Sequence, residues 1–149
     1  MTDVVDKKTR SRMMSGIQGK DTKPELIIRK GLFARGFRYR LHDKRLPGKP
    51  DLVLPKYNAV IFVHGCFWHA HGCVLFKWPK TRKSFWKEKI SGNKARDERN
   101  TAELLSDGWR VMQVWECSIK GPKRKDVDRI LDRLDMWLVG KRRRGEISG

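Results

Sequence analysis

Apolar residues are concentrated in blocks along this chain, and three of these blocks predict helices. The first block follows Thr22-Lys23-Pro24-Glu25, a helix start with Thr22 or Asp21 as the cap, and it ends at Gly36. The other two helices are expected over Ser84–Ser106 and over the apolar face of Ile130–Leu138.

Four shorter blocks predict strands. The block that ends at Val63 is continuously apolar, which is typical of a central strand. The expected strands are Phe37–Leu41, Asp51–Leu54, Ala59–Val63 and Trp109–Trp115. The elements follow one another as α-β-β-β-α-β-α, so the pattern predicts an α/β fold with a mixed central sheet flanked by helices.

Both ends of the chain are polar and basic. Residues 1–22 are expected to form an arm that orders on a partner, with a disordered tail as the alternative. Residues 140–149 are expected to be a frayed, basic, disordered tail. Residues 23–139 between them are long enough to bury the core of one domain.

The net charge of the chain indicates which class of partner it binds. Lys and Arg number 35 against 17 Asp and Glu, which gives a net charge of +18 and favours a polyanion such as nucleic acid. The six tryptophans exceed what packing normally needs in a chain this short, and ribosomal or nucleoid proteins are usually poorer in this residue. An odd number of cysteines, without a secretory signal or transmembrane run, predicts reduced thiols in the cytoplasm.

One segment concentrates metal-binding side chains. Cys66, His71 and Cys73 lie within eight residues, and Cys117 follows the last expected strand. Three thiolates and one imidazole are the ligand set of structural Zn²⁺, and such a closed site would fix the loop rather than catalyse. The alternative is that Cys117 is a small buried apolar residue, which would leave the site incomplete.

A second candidate site begins at Asp51, which follows a proline-rich turn and opens an apolar strand. A short hairpin leads to the next strand, so Asp51 can lie beside Val63 and His64 at its far end. A carboxylate there suits Mg²⁺, although an exposed aspartate at a strand end is more often a turn residue. On a basic chain, metal-assisted phosphodiester hydrolysis is the natural hypothesis.

His64 and His69 are candidate acid–base groups beside Asp51, because imidazole titrates near neutral pH. His69 is the better candidate for activating water, and His64 for contacting phosphate or assisting the leaving group. Glu25 on the first helix can orient one of them. All three also have plainer interpretations, as hydrogen-bonded loop residues and a surface carboxylate.

Large aromatic side chains accompany the Cys/His segment. Phe67 and Trp68 lie within it, and Trp86 follows among lysines. Core packing is the default role of such residues, but aromatics on a basic surface also suit insertion between base pairs, which is easier at a mismatch. Met14 in the basic arm is a weaker candidate for the same role from the other groove.

The chain resembles the very-short-patch repair endonuclease family over about residues 6–137. The resemblance is carried by Leu46-Pro47-Gly48-Lys49-Pro50-Asp51, by Val63-His64-Gly65-Cys66-Phe67-Trp68-His69, by Phe85-Trp86-Lys87-Glu88-Lys89-Ile90, and by Trp115-Glu116-Cys117. It also resembles the wider PD-(D/E)xK superfamily, which implies a three-layer, restriction-endonuclease-like fold. Phe62-Val63-His64 departs from that motif, which has an acid and a lysine there.

This resemblance implies a Mg²⁺-dependent, strand-specific nickase. Enzymes of the family cut double-stranded DNA 5′ to the thymine of T·G mismatches made by deamination of 5-methylcytosine. The resemblance further implies a prokaryotic cytoplasmic protein, a monomer, with functional links to a cytosine-5 DNA methyltransferase and to mismatch-repair proteins.

Carried over residue by residue, the resemblance assigns the site as follows. Asp51 and the main-chain carbonyl of Val63 would bind Mg²⁺, His69 with Glu25 would serve the attacking water, and His64 would act at the scissile phosphate. The zinc ligands would be Cys66, His71, Cys73 and Cys117, and the wedge would comprise Phe67, Trp68, Trp86 and Met14.

The chain departs from the family at three positions in this segment. Valine replaces threonine at position 63, which a backbone ligand tolerates, and Ala70 and Gly72 thin the histidine run.

Two other functions fit part of the same pattern. A zinc-stabilised DNA-binding protein without catalysis would use the same charge and aromatics, and a restriction-type endonuclease would cut duplex DNA that carries no mismatch.

Overall fold

Five strands form one mixed sheet within residues 22–67, 69, 71, 73 and 77–149, the part of the chain that the computed structural model describes. The elements of this part are α1 (Lys23–Ala34), β1 (Arg40–Leu41), β2 (Leu52–Leu54), β3 (Ala59–His64), α2 (Lys83–Ser106), β4 (Arg110–Trp115), α3 (Val127–Val139) and β5 (Arg144–Ile147). Short 3-10 turns follow β2 and β4. No helix among these residues is long and apolar enough to cross a membrane.

The strands lie in chain order across the sheet. The β1–β2 and β2–β3 pairs are antiparallel, whereas β4 runs parallel to β3 and β5 runs parallel to β4. The two parallel pairs each require a crossover, and α2 and α3 provide them. The predicted mixed sheet flanked by helices is therefore confirmed.

Alternation along β3 divides the core between the two faces of the sheet. Ala59 and Ile61 pack with α1 and α3, whereas Val60 and Phe62 pack with Leu104 of α2. Successive strand residues point to opposite faces, so a continuously apolar strand must be covered on both sides. This arrangement places helices on both faces of the sheet.

The start of α1 follows its sequence signals. The Thr22 hydroxyl accepts a hydrogen bond from the Glu25 N–H at 3.4 Å, and Gly36 takes a left-handed φ of 96° just past the helix end. The first strand is shorter than expected: β1 has only two residues, and Phe37 is buried in the core instead.

The expectation of a frayed tail over residues 140–149 is wrong for β5. The side chain of Ile147 is 1% exposed, and the Arg143 carbonyl accepts a hydrogen bond from the Val111 N–H at 2.8 Å. An edge strand of this kind is held by backbone pairing and one apolar anchor, so its basic sequence gives no alternating pattern to recognise. The expected arm, apart from Thr22, lies outside the described residues.

Candidate active site and metal centre

Asp51 lies at the open end of the β2–β3 hairpin. The register pairs Leu52 with Ile61, and the N–H of Val63 donates to Asp51 Oδ2 at 2.7 Å. The hairpin thus brings Asp51 beside Val63, as the sequence predicts, whereas His64 groups with His69 and Asp97.

Glu25 and His42 complete a group around Asp51. Glu25 comes from the first turn of α1 and is 1% exposed, so it is a buried carboxylate and not a surface one. Its Oε2 lies 2.8 Å from His42 Nε2 and 3.0 Å from Arg29 Nη1, and His42 Nε2 lies 4.0 Å from Asp51 Oδ1. One ligand atom from each of Glu25, His42 and Asp51 lies within 4.8 Å of the others.

Burial controls the charge of this group. Loss of solvent raises the pKa of Asp51 from 3.8 to about 8, the Val63 N–H opposes that shift, and the neighbouring Glu25 carboxylate adds to it. Glu25 is buried and Asp51 is half-buried, so repulsion opposes the ionisation of both carboxylates unless positive charge lies close to them. The group therefore fits a hard divalent cation, because carboxylate oxygens are the ligands that such ions prefer.

His64 and His69 form a second group at the end of β3. Their ring centroids lie 4.0 Å apart, and the buried His64 ring stacks 5.3 Å from Phe62. Burial lowers the pKa of His64, and the neighbouring His69 and His71 lower it further. His64 is therefore neutral near pH 7 and can donate one hydrogen bond to an oxygen.

The partner of His69 is Asp97, a residue that the sequence does not single out. His69 Nδ1 and Asp97 Oδ2 form a short hydrogen bond, and both side chains are partly exposed. Asp97 lies mid-way along α2 among other charged residues, so no local spacing marks it. Glu25 is expected to orient His64 or His69, but the histidine that it contacts is His42, and Asp97 holds His69.

The four Cys and His residues predicted as metal ligands meet at one place. Cys66 lies two residues beyond β3 and Cys117 two residues beyond β4, and the parallel register pairs His64 with Trp115. The two thiols therefore lie at the same end of these neighbouring strands. Their ligand atoms, with those of His71 and Cys73, lie within 4.8 Å of one another.

The distances within this cluster fit a tetrahedral metal ion. His71 Nδ1 lies 3.6 Å from Cys66 Sγ and 3.5 Å from Cys117 Sγ. Tetrahedral zinc with ordinary Zn–S and Zn–N bond lengths separates such atoms by about 3.5 Å. Burial raises the pKa of the Cys66 thiol, so a thiolate there requires a compensating cation.

Two of the predicted wedge aromatics lie together. The ring centroids of Phe67 and Trp86 are 5.6 Å apart, and Phe85 packs against Trp86 at 5.2 Å. Arg82 lies over the Phe85 ring at 4.4 Å, so this aromatic cluster borders positive charge. Trp68 and Met14, the other predicted members, lie outside the described residues.

A carboxylate pair and a histidine pair at the end of a mixed sheet, in a strongly basic chain, fit the phosphodiester hydrolysis of a nuclease. Residues 2–75 match the family model described as DNA mismatch endonuclease Vsr. The chain is 45% identical to the DNA mismatch endonuclease Vsr of Escherichia coli over 141 residues, which cover 95% of this chain and 90% of that protein.

Two further relatives are described as type II nicking enzymes. One, from Neisseria meningitidis, is 51% identical over 80% of this chain and 86% of its own length. The other, from Xanthomonas oryzae, is 47% identical over 80% of this chain and 88% of its own length. The chain belongs to the Vsr family of DNA mismatch endonucleases, and it is a nuclease.

Proposed function

We propose that this nuclease is a Mg²⁺-dependent nickase that hydrolyses one strand of duplex DNA 5′ to the thymine of a T·G mismatch. Mismatches of this kind arise by deamination of 5-methylcytosine, and the nick would begin very-short-patch repair. The observation that carries the proposal is the hydrogen bond from Val63 to Asp51, because it joins the carboxylate group to the strand end that presents His64.

The chemistry divides between two groups of residues. Asp51, with the carbonyl of Val63, would hold Mg²⁺, which when bound supplies Lewis-acid stabilisation of phosphate charge. Glu25 lies close enough to Asp51 to raise its pKa, so it contributes negative charge to the same site. The carboxylates thus concentrate negative charge where a cation and a phosphate oxygen are to meet.

His69 is the proposed general base. Because its Nδ1 bonds to Asp97, that nitrogen carries the proton and Nε2 is left with the lone pair that can accept a proton from water. The Asp97 carboxylate also stabilises the imidazolium that forms. His64, held neutral by burial, would donate a hydrogen bond to the scissile phosphate.

Mismatch preference would come from the aromatic cluster. Phe67 and Trp86, with Trp68 and Met14 from segments outside the described residues, would insert beside the mismatch. Unstacking a base step costs a few kcal/mol, and a mispaired step costs less, so a wedge favours mismatched DNA. The net charge of +18 supplies attraction that does not depend on sequence.

Zinc is the proposed structural metal of Cys66, His71, Cys73 and Cys117. Support comes from the thiolate-rich ligand set and from distances that match a tetrahedral ion. All four positions are protein ligands, so the ion would be scaffold rather than catalyst.

The wider assignments rest on the family. We propose a restriction-endonuclease-like three-layer fold, in keeping with helices on both faces of the mixed sheet. We also propose that the protein is a monomer and acts in the prokaryotic cytoplasm. A cytosine-5 DNA methyltransferase would make the 5-methylcytosine from which its mismatched substrate arises. Mismatch-repair proteins would then be functional partners.

A nicking assay tests this function directly. Duplexes that carry T·G, T·A or C·G at one position are incubated with Mg²⁺, and strand-resolved products are measured. We expect cleavage of the thymine strand at T·G, and Asp51→Ala should bind the mismatch but not cut it.

Cutting by Asp51→Ala would contradict the assignment of Asp51 to the active site. Double-strand cleavage of unmismatched plasmid would favour a restriction-type enzyme, and binding without cleavage by the wild type would favour a non-catalytic protein.

A further inference from the structure

His42 occupies the end of the β1–β2 ladder directly opposite Asp51. The register pairs Arg40 with Val53 and Leu41 with Leu52, and the His42 N–H donates to the Asp51 carbonyl at 3.1 Å. The short strand β1 thus fixes the backbone of His42 to the backbone of the residue at the centre of the site.

The backbone of His42 is also in an unusual conformation. Its φ of 48° lies in the left-handed region, which costs free energy for a residue with a side chain. Such conformations persist where surrounding contacts enforce them, and they are common at functional sites. At His42 the enforcing contacts are the hydrogen bond to Asp51 and the imidazole contact to Glu25.

The imidazole of His42 reaches Glu25. Its Nε2 lies 2.8 Å from Glu25 Oε2, the oxygen that also accepts from Arg29 Nη1 at 3.0 Å. Since a carboxylate oxygen only accepts, Arg29 Nη1 and the protonated Nε2 of His42 both donate to it. Two donors from different elements hold a carboxylate that is itself 1% exposed.

We propose that His42 is a positioning residue of the divalent-cation site, which holds Glu25 by a hydrogen bond from Nε2–H so that its carboxylate stays beside Asp51. Without that donor, Glu25 would lose the contact from His42 and keep the one from Arg29 of its own helix. Repulsion between the two carboxylates, once both are ionised to bind a cation, would then favour their separation. The affinity of the site for a divalent cation would then fall. The inference deepens the proposed function and rests on it for the identity of the site.

Glutamine offers a conservative replacement. Its Nε2 is separated from Cβ by the same number of bonds as Nε2 of histidine, and it donates a hydrogen bond but is a poor metal ligand. His42→Gln therefore keeps the proposed donor, whereas His42→Ala removes it. Lys44→Ala is a matched control because this neighbouring lysine is exposed in the same loop.

The experiment measures Mn²⁺ binding to the DNA-free protein by calorimetry, with Asp51→Ala to identify the signal from this site. We expect His42→Ala to weaken binding roughly 10-fold, since losing a residue that orients a metal ligand typically has an effect of this size. His42→Gln should stay within about 3-fold because the donor is retained. Lys44→Ala should match the wild type.

The same variants are then assayed for nicking at varied Mg²⁺ and DNA concentrations. His42→Ala should raise the half-saturating Mg²⁺ concentration and leave the KM for DNA unchanged, and His42→Gln should restore the Mg²⁺ response. Unchanged Mn²⁺ affinity in His42→Ala, or a His42→Gln variant as weak as His42→Ala, would overturn the inference. If the wild type binds Mn²⁺ through Asp51 and does not nick, the proposed function fails, while the role of His42 is decided by binding.

Discussion

The indole of Trp115 lies flat against the imidazole of His71, with ring centroids 4.1 Å apart and planes inclined by 9°. The same indole lies 5.1 Å from the ring of His64. Trp115 therefore forms a common wall between the Cys/His cluster and the histidine pair. Disturbance of one group should be transmitted to the other through this packed ring.

Loss of a metal ligand tests that connection. Cys73→Ser removes one thiolate from a partly exposed position, so little core packing is lost with it. We expect about one zinc ion per chain in the wild type and much less in Cys73→Ser, and nicking should fall with the zinc content. Elemental analysis and the nicking assay measure the two effects. Asp51→Asn should lose nicking and keep its zinc, and full activity in a zinc-free Cys73→Ser protein would contradict a structural role.

Replacing Asp97 tests the assignment of His69 as the base. Asn in place of Asp97 removes the carboxylate that stabilises the proton on Nδ1, so the nicking rate should fall roughly 10²-fold or more. Single-turnover rates at saturating enzyme separate this loss from weaker DNA binding. Glu98→Gln removes the same charge from the next residue of α2, which is exposed, and its rate should match the wild type. Equal rates for the two variants would remove Asp97 from the catalytic site.

The raised pKa of Asp51 predicts that the stability of the protein depends on pH. Its pKa is about 8 in the folded protein against an ordinary value of 3.8, so the fold prefers the protonated form. The contribution of protonated Asp51 to the free energy of unfolding is fully present below about pH 4 and is lost as pH rises through 8. Asn cannot ionise, so Asp51→Asn should gain Tm relative to wild type between pH 5 and 8, by at least ~3 °C.

Thermal unfolding without added divalent ions gives this measurement, and other titrating groups cancel because both proteins share them. Saturating Mg²⁺ should reverse the trend, because the cation favours the ionised carboxylate. A Tm difference that does not change with pH would show that Asp51 is not protonated in the fold.

The aromatic cluster makes a prediction about mismatch preference. Phe67→Ala removes a ring that packs with Trp86, and it should reduce the affinity ratio of T·G over T·A duplex roughly 10-fold, as expected for the loss of one stacking contact. Phe33→Ala, at an exposed aromatic on α1, serves as the control and should keep the ratio. Competition binding with both duplexes measures it. Equal losses of affinity for the two duplexes would show that Phe67 is not a mismatch wedge.

The role of β5 in stability can be tested by replacing its buried residue. Ile147 is almost fully buried, so Ile147→Ala should lower the free energy of unfolding by ~2 kcal/mol or more. Arg144 begins the same strand and is exposed, so Arg144→Ala should change it by no more than about 0.5 kcal/mol. Urea unfolding compares them. A frayed tail would instead give the same small change for both variants.

Much of the fold can be predicted from signals that are local in the sequence. The cap at Thr22, the left-handed Gly36 and the apolar run of β3 predict their elements because each depends on residues near in sequence. The hairpin that joins Asp51 to Val63 is also short enough to be read from the chain. By contrast, β5 pairs with a strand about thirty residues away and carries one apolar anchor, so its sequence resembles a tail.

The sequence by itself determined the residue types of the site: the thiols and imidazole of a candidate metal cluster, the acid after the proline turn, and the two histidines at the end of β3 and just beyond it. Only the tertiary structure decided their partners. Asp97 from α2 meets His69, and His42 meets Glu25, across 28 and 17 residues of chain. Contacts of this kind depend on how helices and strands pack, and no spacing along a single element encodes them.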